Sequence, residues 1–517
     1  MHTDILRNII AKKLEFPSTY PIPTKRECPI TPFLQYPGII CEIKRKSPSK
    51  GVISSDLDPV SQAQTYVSSG IRSISVLTEE HYFHGSIADL LAVKRAHPDC
   101  AVLQKDFILS QRDVETAYLI GADAILLIAS ILDPESMEQL IKKAREYGMQ
   151  TLVEVHTKEE IEAIAPLSPP LIGINARNLN NFTVDPLLPL SLRSLISWNA
   201  RCVFESGIHS QQGLLLALYG GFDAVLVGES VVKNPELTEV LVKTYRRHRE
   251  ESNETNTAPS VQNEKKLEDF TLKRTPSADE DSLYGKNSCV FNSSFWQTIA
   301  KRIANNKEEG LPLVKICGIC SREDALRALE LGADMLGFIL AESKRRVDPA
   351  FIASLADLNI IKIGVIELKN PARGTPPRIP QEIRSLLSSN MLDALQLHGD
   401  ESQETVTSVF PCYKALRIGN KNDILHVDQQ ATPRVLLDAY SPKARGGTGL
   451  RISDELLSSL PSEFPLWLAG GLSPNNVEEI VRKYRPECID ISSGLEISPR
   501  EKSHEKMKLF FSSLRRC

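Results

Sequence analysis

The sequence predicts an α/β protein built as two (β/α)8 TIM barrels in tandem, joined by a polar linker. Three observations carry this. Short apolar runs alternate with amphipathic stretches in two series of eight. A long polar segment separates the series. Two short motifs near the end of the first series return, at nearly the same separation, near the end of the second.

Residues 1–16 open the chain. Apolar side chains at helical spacing are mixed there with Asp4, Arg7, Lys12, Lys13 and Glu15, an amphipathic helix and not a signal peptide. The first series of runs is 39–44, 73–77, 101–105, 124–128, 151–155, 171–175, 202–205 and 224–227. Segments such as 134–147 and 211–219 between them read as amphipathic helices, and Gly121-Ala-Asp123 as a helix end turning into a strand. Parallel strands need crossovers of this kind, and eight successive units favour a closed barrel over an open doubly wound sheet. No Gly-x-Gly-x-x-Gly follows the first run, which argues against a dinucleotide fold.

Regularity then stops. Residues 249–293 are rich in Ser, Asn, Glu, Lys and Asp, with Pro259 and Pro276, and are expected to form a solvated, largely disordered linker between domains at 1–248 and 294–517. Residues 295–305 read as a helix, with Phe295, Trp296, Ile299 and Ile303 apolar. The second series is 313–317, 335–340, 361–366, 394–397, 413–416, 435–438, 466–469 and 488–492. Glu205-Ser-Gly-Ile-His209 is echoed by Ala469-Gly-Gly-Leu-Ser473, and Val227-Gly-Glu-Ser230 by Ser492-Ser-Gly-Leu495. Two barrels of one architecture explain the echo most simply.

Composition narrows the function. At 517 residues the chain exceeds one core. The formal net charge is -4 and no strongly basic domain stands out, so a nucleic-acid partner is not expected. No apolar run is long enough to span a membrane. Ten scattered cysteines without a disulfide framework suggest a reducing, cytoplasmic setting. No metal-ligand set and no cofactor motif appears, so neither metal nor cofactor is expected. Cys317 and Cys320 form a C-x-x-C, which alone would read as a redox pair or half a zinc site, but no second ligand pair accompanies it.

In a closed parallel barrel the active site lies at the C-terminal ends of the strands. In the first series those ends carry Glu42 and Lys44, Lys105, Glu154, Asn175 with Arg177, and Ser206. Strand period puts Glu42 and Lys44 on one face. Alone they could be a surface ion pair; with the other strand-end polar groups they read as a site. Ser206-Gly207 and Gly228-Glu229-Ser230 end the last two runs with the small residues that a barrel phosphate site uses. An anionic sugar-phosphate substrate fits this rim.

Here a resemblance becomes specific. The stretch 42–51 (Glu-Ile-Lys-Arg-Lys-Ser-Pro-Ser-Lys-Gly), Ser75-Val-Leu-Thr78, Lys105-Asp-Phe107, Glu154-Val155, Gly173-Ile-Asn-Ala-Arg-Asn-Leu179 and Glu205-Ser-Gly-Ile208 together resemble the indole-3-glycerol-phosphate synthases, over about residues 39 to 245. The resemblance implies conversion of 1-(2-carboxyphenylamino)-1-deoxyribulose 5-phosphate to indole-3-glycerol phosphate, with loss of carbon dioxide and water. It makes Lys105 the acid that protonates the developing alkoxide and Lys44 the partner of the substrate carboxylate. Glu154 serves dehydration, and Glu42 and Asn175 hold the array. Ser47, Ser206, Gly207 and Gly228 would hold phosphate, and Arg177 and Leu179 would line the site. A lysine acid works better at neutral pH if its pKa falls, which burial or another cation could do. Phe204 stands where the family commonly has serine, one residue before Glu205 and so on the helix-facing side.

In the second series, Lys315-Ile-Cys-Gly-Ile319, Gln396-Leu-His-Gly399, Asp438 with Gly446-Gly-Thr-Gly449, Ala469-Gly-Gly-Leu472 and Asp490-Ile-Ser-Ser-Gly494 together resemble the phosphoribosylanthranilate isomerases, over about residues 312 to 515. The resemblance implies an Amadori rearrangement of N-(5-phosphoribosyl)anthranilate, with Asp438 as acid and Cys317 as base. Opposed pKa shifts would suit that pair. Arg345 would meet the anthranilate carboxylate. Gln396, His398, Gly447, Gly471, Ser492, Ser493 and Gly494 would bind substrate and phosphate, although a lone His398 is more often a loop residue. Departures occur at Leu450-Arg-Ile-Ser-Asp454 and after Ile366, where Glu367 replaces an aromatic residue. The expected protein is a bifunctional, monomeric tryptophan-biosynthesis enzyme with small-molecule sugar-phosphate anthranilate substrates. The alternative keeps only the N-terminal synthase active, with the C-terminal barrel a structural or phosphate-binding module.

Overall fold

A computed structural model describes residues 5–16, 18–48, 51–178, 181–256, 289–290, 294–372, 375, 377–427, 431–440, 450–461 and 463–517. The chain divides into two compact units, Met1–Lys265 and Lys266–Cys517. Each contains a closed barrel of eight parallel strands.

The first barrel runs β1 (Ile39–Ile43), β2 (Ser73–Leu77), β3 (Ala101–Lys105), β4 (Ala124–Ile128), β5 (Gln150–Val155), β6 (Leu171–Asn175), β7 (Arg201–Glu205) and β8 (Ala224–Val227). β1 closes the ring on both β2 and β8. Strand alternation decides what the interior holds. Ile40, Leu103, Leu152, Val203 and Leu226 pack in one buried cluster inside the ring. Two residues further along, the same faces present Glu42, Lys105, Glu154 and Glu205. The interior is thus apolar in its middle and charged at its C-terminal mouth, as a packed barrel requires. The N-terminal helix Ile5–Glu15 sends Ile9 to that apolar cluster and is tied by Lys13 to Asp106, next to Lys105.

The opposite rim is fastened by a recurring aspartate. Asp123 and Asp223, each just before a strand, accept hydrogen bonds from Val102 and Cys202 in the neighbouring strand. Asp334 and Asp393 do the same for Val314 and Lys362 in the second barrel. Gly-Ala-Asp123 is therefore a register lock as well as a helix exit.

The second barrel runs β9 (Leu313–Cys317), β10 (Met335–Ile339), β11 (Ile361–Ile366), β12 (Ala394–Leu397), β13 (Cys412–Ile418), β14 (Val435–Ala439), β15 (Trp467–Ala469) and β16 (Cys488–Ile491). β9 closes the ring on β10 and β16. Its large apolar core, including Val314, Ile316, Leu336, Phe338, Leu395 and Leu437, lies between strands and helices. The helix expected over 295–305 spans Phe295–Glu309.

Both runs of eight strands fall where the sequence places them, with ends shifted by a residue or two. The last helix of the first unit, Glu236–Asn256, continues past residue 248, and Cys289–Val290 pairs with Val409–Phe410. The rest of the expected linker lies outside the described residues.

Candidate active sites

The first barrel's mouth holds a cavity of about 170 Å3. Glu42, Lys44, Ser47, Lys105, Glu154, Asn175 and Arg177 line it, as do Ser206, Gly207 and Gly228 after the last two strands. Apolar walls come from Leu6 and Ile9 of the N-terminal helix, with Phe83 and Phe107. Leu179 lies outside the described residues.

Lys105 sits at the centre. Its Nζ donates to Glu154 Oε2 at 2.7 Å and to Glu205 Oε2 at 2.5 Å. Glu42 Oε1 instead takes Lys44 Nζ at 2.6 Å. Asn175 Oδ1 accepts from the Arg177 backbone N–H at 3.0 Å, and Arg177 Nη1 reaches the Phe182 carbonyl. Glu205 is absent from the residues singled out from sequence. The signal was present: Glu205 shares the inward parity of Val203 and pairs in register with Asn175.

Charge balance corrects one expectation. Burial alone would lower the Lys105 ammonium, but Glu154, Glu205 and Glu42 together raise it above the ordinary lysine value. Three carboxylates outweigh desolvation, so Lys105 is held charged, with its proton shared toward carboxylates. Those carboxylates differ. Burial and the neighbouring Glu154 charge push Glu205 up, to about 8, against the pull of Lys105. Burial also opposes the Glu154 charge, but Lys105 and His156 together hold it well below the usual carboxylate range. His156 is a second residue that sequence reading missed. Its Nε2 lies 3.2 Å from Glu154 Oε1 as an ion-pair contact, not an aligned hydrogen bond, and its Nδ1 lies 3.2 Å from Glu160. Burial would lower this imidazole, yet the two carboxylates raise it to about 9. Two glutamates that burial and charge shift in opposite directions therefore meet one ammonium within hydrogen-bonding distance.

The glycines of this mouth are spatial requirements. A Cβ on Gly173 would stand 1.9 Å from Glu205 Oε1, and one on Gly228 would stand 2.7 Å from Glu42 Oε1. After β7, Ser206 and Gly207 both take left-handed φ, 68° and 78°. The second barrel repeats this at the same place: Gly470 and Gly471 have φ of 88° and 60°. The sequence echo is thus a shared backbone turn. Phe204 is fully buried on the outer face, its ring 5.1 Å from that of Phe222, and it leaves the mouth untouched.

The second mouth holds a larger cavity, about 440 Å3. Cys317, Arg345, Gln396, His398 and Asp438 line it, with Gly471, Ser492, Ser493 and Gly494 at the glycine-rich end. Glu367, the departure after Ile366, also lines it. Gly447 lies outside the described residues. His398 Nε2 lies 3.4 Å from Asp438 Oδ2 without an aligned hydrogen bond. Burial pushes the Cys317 thiol up. Arg345 is not waiting for an anion: its Nε and Nη2 form a fork to Glu496 at 2.8 and 2.7 Å. Gln396 likewise spends its Oε1 on Lys315 and Tyr413. C-x-x-C does not form a disulfide, since both Cys317 and Cys320 are free thiols. No cluster of three or more metal-ligating side chains occurs among the described residues. No described helix is long and apolar enough to cross a membrane.

Two closed barrels, each gathering acid–base groups at one mouth opposite a glycine-rich turn, define a tandem of TIM-barrel enzymes. The chain belongs to the indole-3-glycerol phosphate synthase family, whose model matches residues 30–243, and it carries an N-(5'-phosphoribosyl)anthranilate (PRA) isomerase domain, whose model matches residues 314–513. An indole-3-glycerol phosphate synthase from Geobacillus thermodenitrificans is 40% identical over 47% of this chain and 96% of its own length. A multifunctional tryptophan biosynthesis protein from Schizosaccharomyces pombe is 30% identical over 93% of this chain. The match spans only 59% of that longer protein. The crystal structure of a phosphoribosyl anthranilate isomerase from Thermus thermophilus is 33% identical over 39% of this chain and 98% of its own, with a TM-score of 0.33.

Proposed function

We propose that the two barrels catalyse consecutive steps. The C-terminal barrel isomerises N-(5-phosphoribosyl)anthranilate to 1-(2-carboxyphenylamino)-1-deoxyribulose 5-phosphate. The N-terminal barrel converts that ketone to indole-3-glycerol phosphate, releasing carbon dioxide and water. The observation that carries the reading is the Lys105–Glu154–Glu205 cluster: ring closure and dehydration need groups that give and take protons beside one carbon framework.

In the first barrel, Lys105 donates to the ketone oxygen as the ring carbon attacks it. The carboxylates keep it charged but make it a weaker acid than a free lysine, so its contribution rests on placement and positive charge at the ketone oxygen. Lys44 exchanges Glu42 for the substrate carboxylate, and Glu42 and Asn175 keep the array in place. Glu154, held anionic, takes the proton lost on dehydration, while Glu205, its carboxyl pushed up by burial, accepts from Lys105 and keeps the ammonium in place. Ser47, Ser206, Gly207 and Gly228 hold the phosphate, and Arg177 and Leu179 border the ring.

In the second barrel, Asp438 protonates the ribose ring oxygen and Cys317 removes the C2′ proton. Arg345 meets the anthranilate carboxylate by opening its fork to Glu496. Gln396 and His398 border the sugar, and Gly447, Gly471, Ser492, Ser493 and Gly494 hold the phosphate. The placement of Cys317 and Asp438 on one cavity disfavours a purely structural C-terminal barrel. The two domains flank a linker within 249–293, of which 249–256 continue the last helix of the first unit and Cys289–Val290 pair with the second, and the chain acts as a cytoplasmic monomer. Its free described cysteines support a reducing compartment.

A coupled assay on the purified chain tests this. Anthranilate-type fluorescence follows the first substrate, and indole-3-glycerol phosphate is quantified as product. Lys105→Ala stops the second step alone and Cys317→Ala the first alone. Retention of either step by its own variant removes the role assigned to that residue.

A further inference from the structure

We propose that Lys315, inside the second barrel, is the positioning cation of Cys317: it stabilises the thiolate from below, and Asp490 moderates how strongly. This rests on the reading of Cys317 as the base of that barrel, and it adds Lys315, which does not line the cavity, together with Asp490, which does.

Lys315 and Cys317 are two apart on β9, so both point into the barrel. Cys317 stands at the mouth and lines the cavity. Lys315 lies one layer deeper, 1% exposed. Its Nζ donates to Gln396 Oε1 at 2.7 Å and to Asp490 Oδ2 at 2.6 Å. An ammonium has three N–H donors. Two of the three are taken by these bonds, and Lys315 is the charge that most favours the Cys317 thiolate. The neighbouring strand makes room: Gly337 pairs in register with Cys317, and a Cβ there would stand 2.7 Å from Cys317 Sγ and 3.0 Å from Lys315 Cε. Sulfur and lysine stem close on the same empty spot.

A buried lysine in a barrel core is costly, and an ion pair used only for packing could be replaced by apolar side chains. Lys315 departs from that reading in two ways. It is beside a thiol that needs a positive neighbour to ionise. Its partner is also incompletely used, because Asp490 Oδ1 is buried without a hydrogen bond. The other charges around Cys317 are committed elsewhere. Lys502 Nζ donates to the Cys317 and Ser492 carbonyls and pairs with Glu496 at 3.0 Å, on the backbone side. Arg345 is forked to Glu496. Asp438 and His398 lie beside each other, 3.4 Å apart, and the Tyr413 hydroxyl is given to Gln396. Burial raises the thiol; among the charges Lys315 opposes this most, Asp490 reinforces it, and Lys502 opposes it from behind.

The test is the pH dependence of iodoacetamide alkylation at Cys317 in the full chain, read by mass spectrometry of the peptide that carries it. Lys315→Met moves the alkylation midpoint up by a pH unit or more, a roughly tenfold fall in rate at neutral pH. Lys315→Arg leaves it near the parent value. Asp490→Asn moves it down, the opposite direction. If Lys315→Met does not fold, Asp490→Asn decides alone. A midpoint that stays put in the folded variants overturns the proposal, because a packing role would not move it. Cys317→Ala with full isomerase activity would remove the base assignment and leave the midpoint shifts standing, so the two failures are distinguishable.

Discussion

Gly173 and Glu205 occupy almost the same space: a Cβ on Gly173 would stand 1.9 Å from Glu205 Oε1. They lie on adjacent strands, β6 and β7, and the missing side chain lets Glu205 lean inward to Lys105. Gly173→Ala therefore displaces Glu205 rather than merely tightening the core. The expected result is a loss of synthase kcat of about 10²-fold, the scale of one misplaced acid–base group. Isomerase activity of the same chain should stay at its parent level. Steady-state kinetics of both steps check this.

Glu205 and Glu154 are both glutamates beside Lys105, yet burial and neighbouring charge shift them in opposite directions. Glu205→Gln imitates its neutral form and should keep synthase activity within about tenfold of the parent at pH 7. Glu154→Gln removes a carboxylate that is ionised there and should cost about 10²–10⁴-fold. A parent carboxyl near 8 also predicts that synthase activity falls as pH rises through 8, and that Glu205→Gln removes this limb. Parallel pH–rate profiles of parent and Glu205→Gln decide it.

His156 gives a stability prediction. Its folded pKa, near 9, exceeds the unfolded value of about 6.5. The folded state therefore binds the proton more tightly. The stabilisation is full below about pH 6.5 and is lost as pH rises through about 9. Its size is on the order of 1–3 kcal/mol, since Glu154 and Glu160 share the interaction. Urea unfolding of the first barrel at pH 6 and pH 9.5 should show this loss, and His156→Gln should flatten it.

Gly337 is the counterpart of Gly173 in the second barrel. Gly337→Ala pushes into Cys317 Sγ and should lower isomerase kcat/KM by about 10²-fold with the synthase unaffected. The same split assay reads it.

Much of this was legible in the sequence. The C-terminal ends of successive apolar runs put Glu42, Lys105 and Glu154 at one mouth, because a closed parallel barrel gathers those ends on one rim. The glycines after the seventh run marked a turn that both barrels share. Other features depend on encounters that no local pattern records. Arg345 meets Glu496 from a distant part of the chain, so its fork could not be foreseen. The raised ammonium of Lys105 comes from three carboxylates on three strands. Glu205 and Lys315 carry the inward parity, but nothing local tells that Glu205 meets Lys105 or that Lys315 meets Asp490, on strands distant in the sequence. His156 lies beyond its strand's end, where parity no longer speaks.

One chain thus holds two acid–base sites proposed to act in sequence. This is tested most directly by supplying N-(5-phosphoribosyl)anthranilate to the Lys105→Ala and Cys317→Ala variants and quantifying the intermediate and final product. Lys105→Ala should accumulate the ketone without forming indole-3-glycerol phosphate. Cys317→Ala should consume no substrate yet still cyclise added ketone. Indole-3-glycerol phosphate formed by Lys105→Ala, or ketone formed by Cys317→Ala, would contradict it.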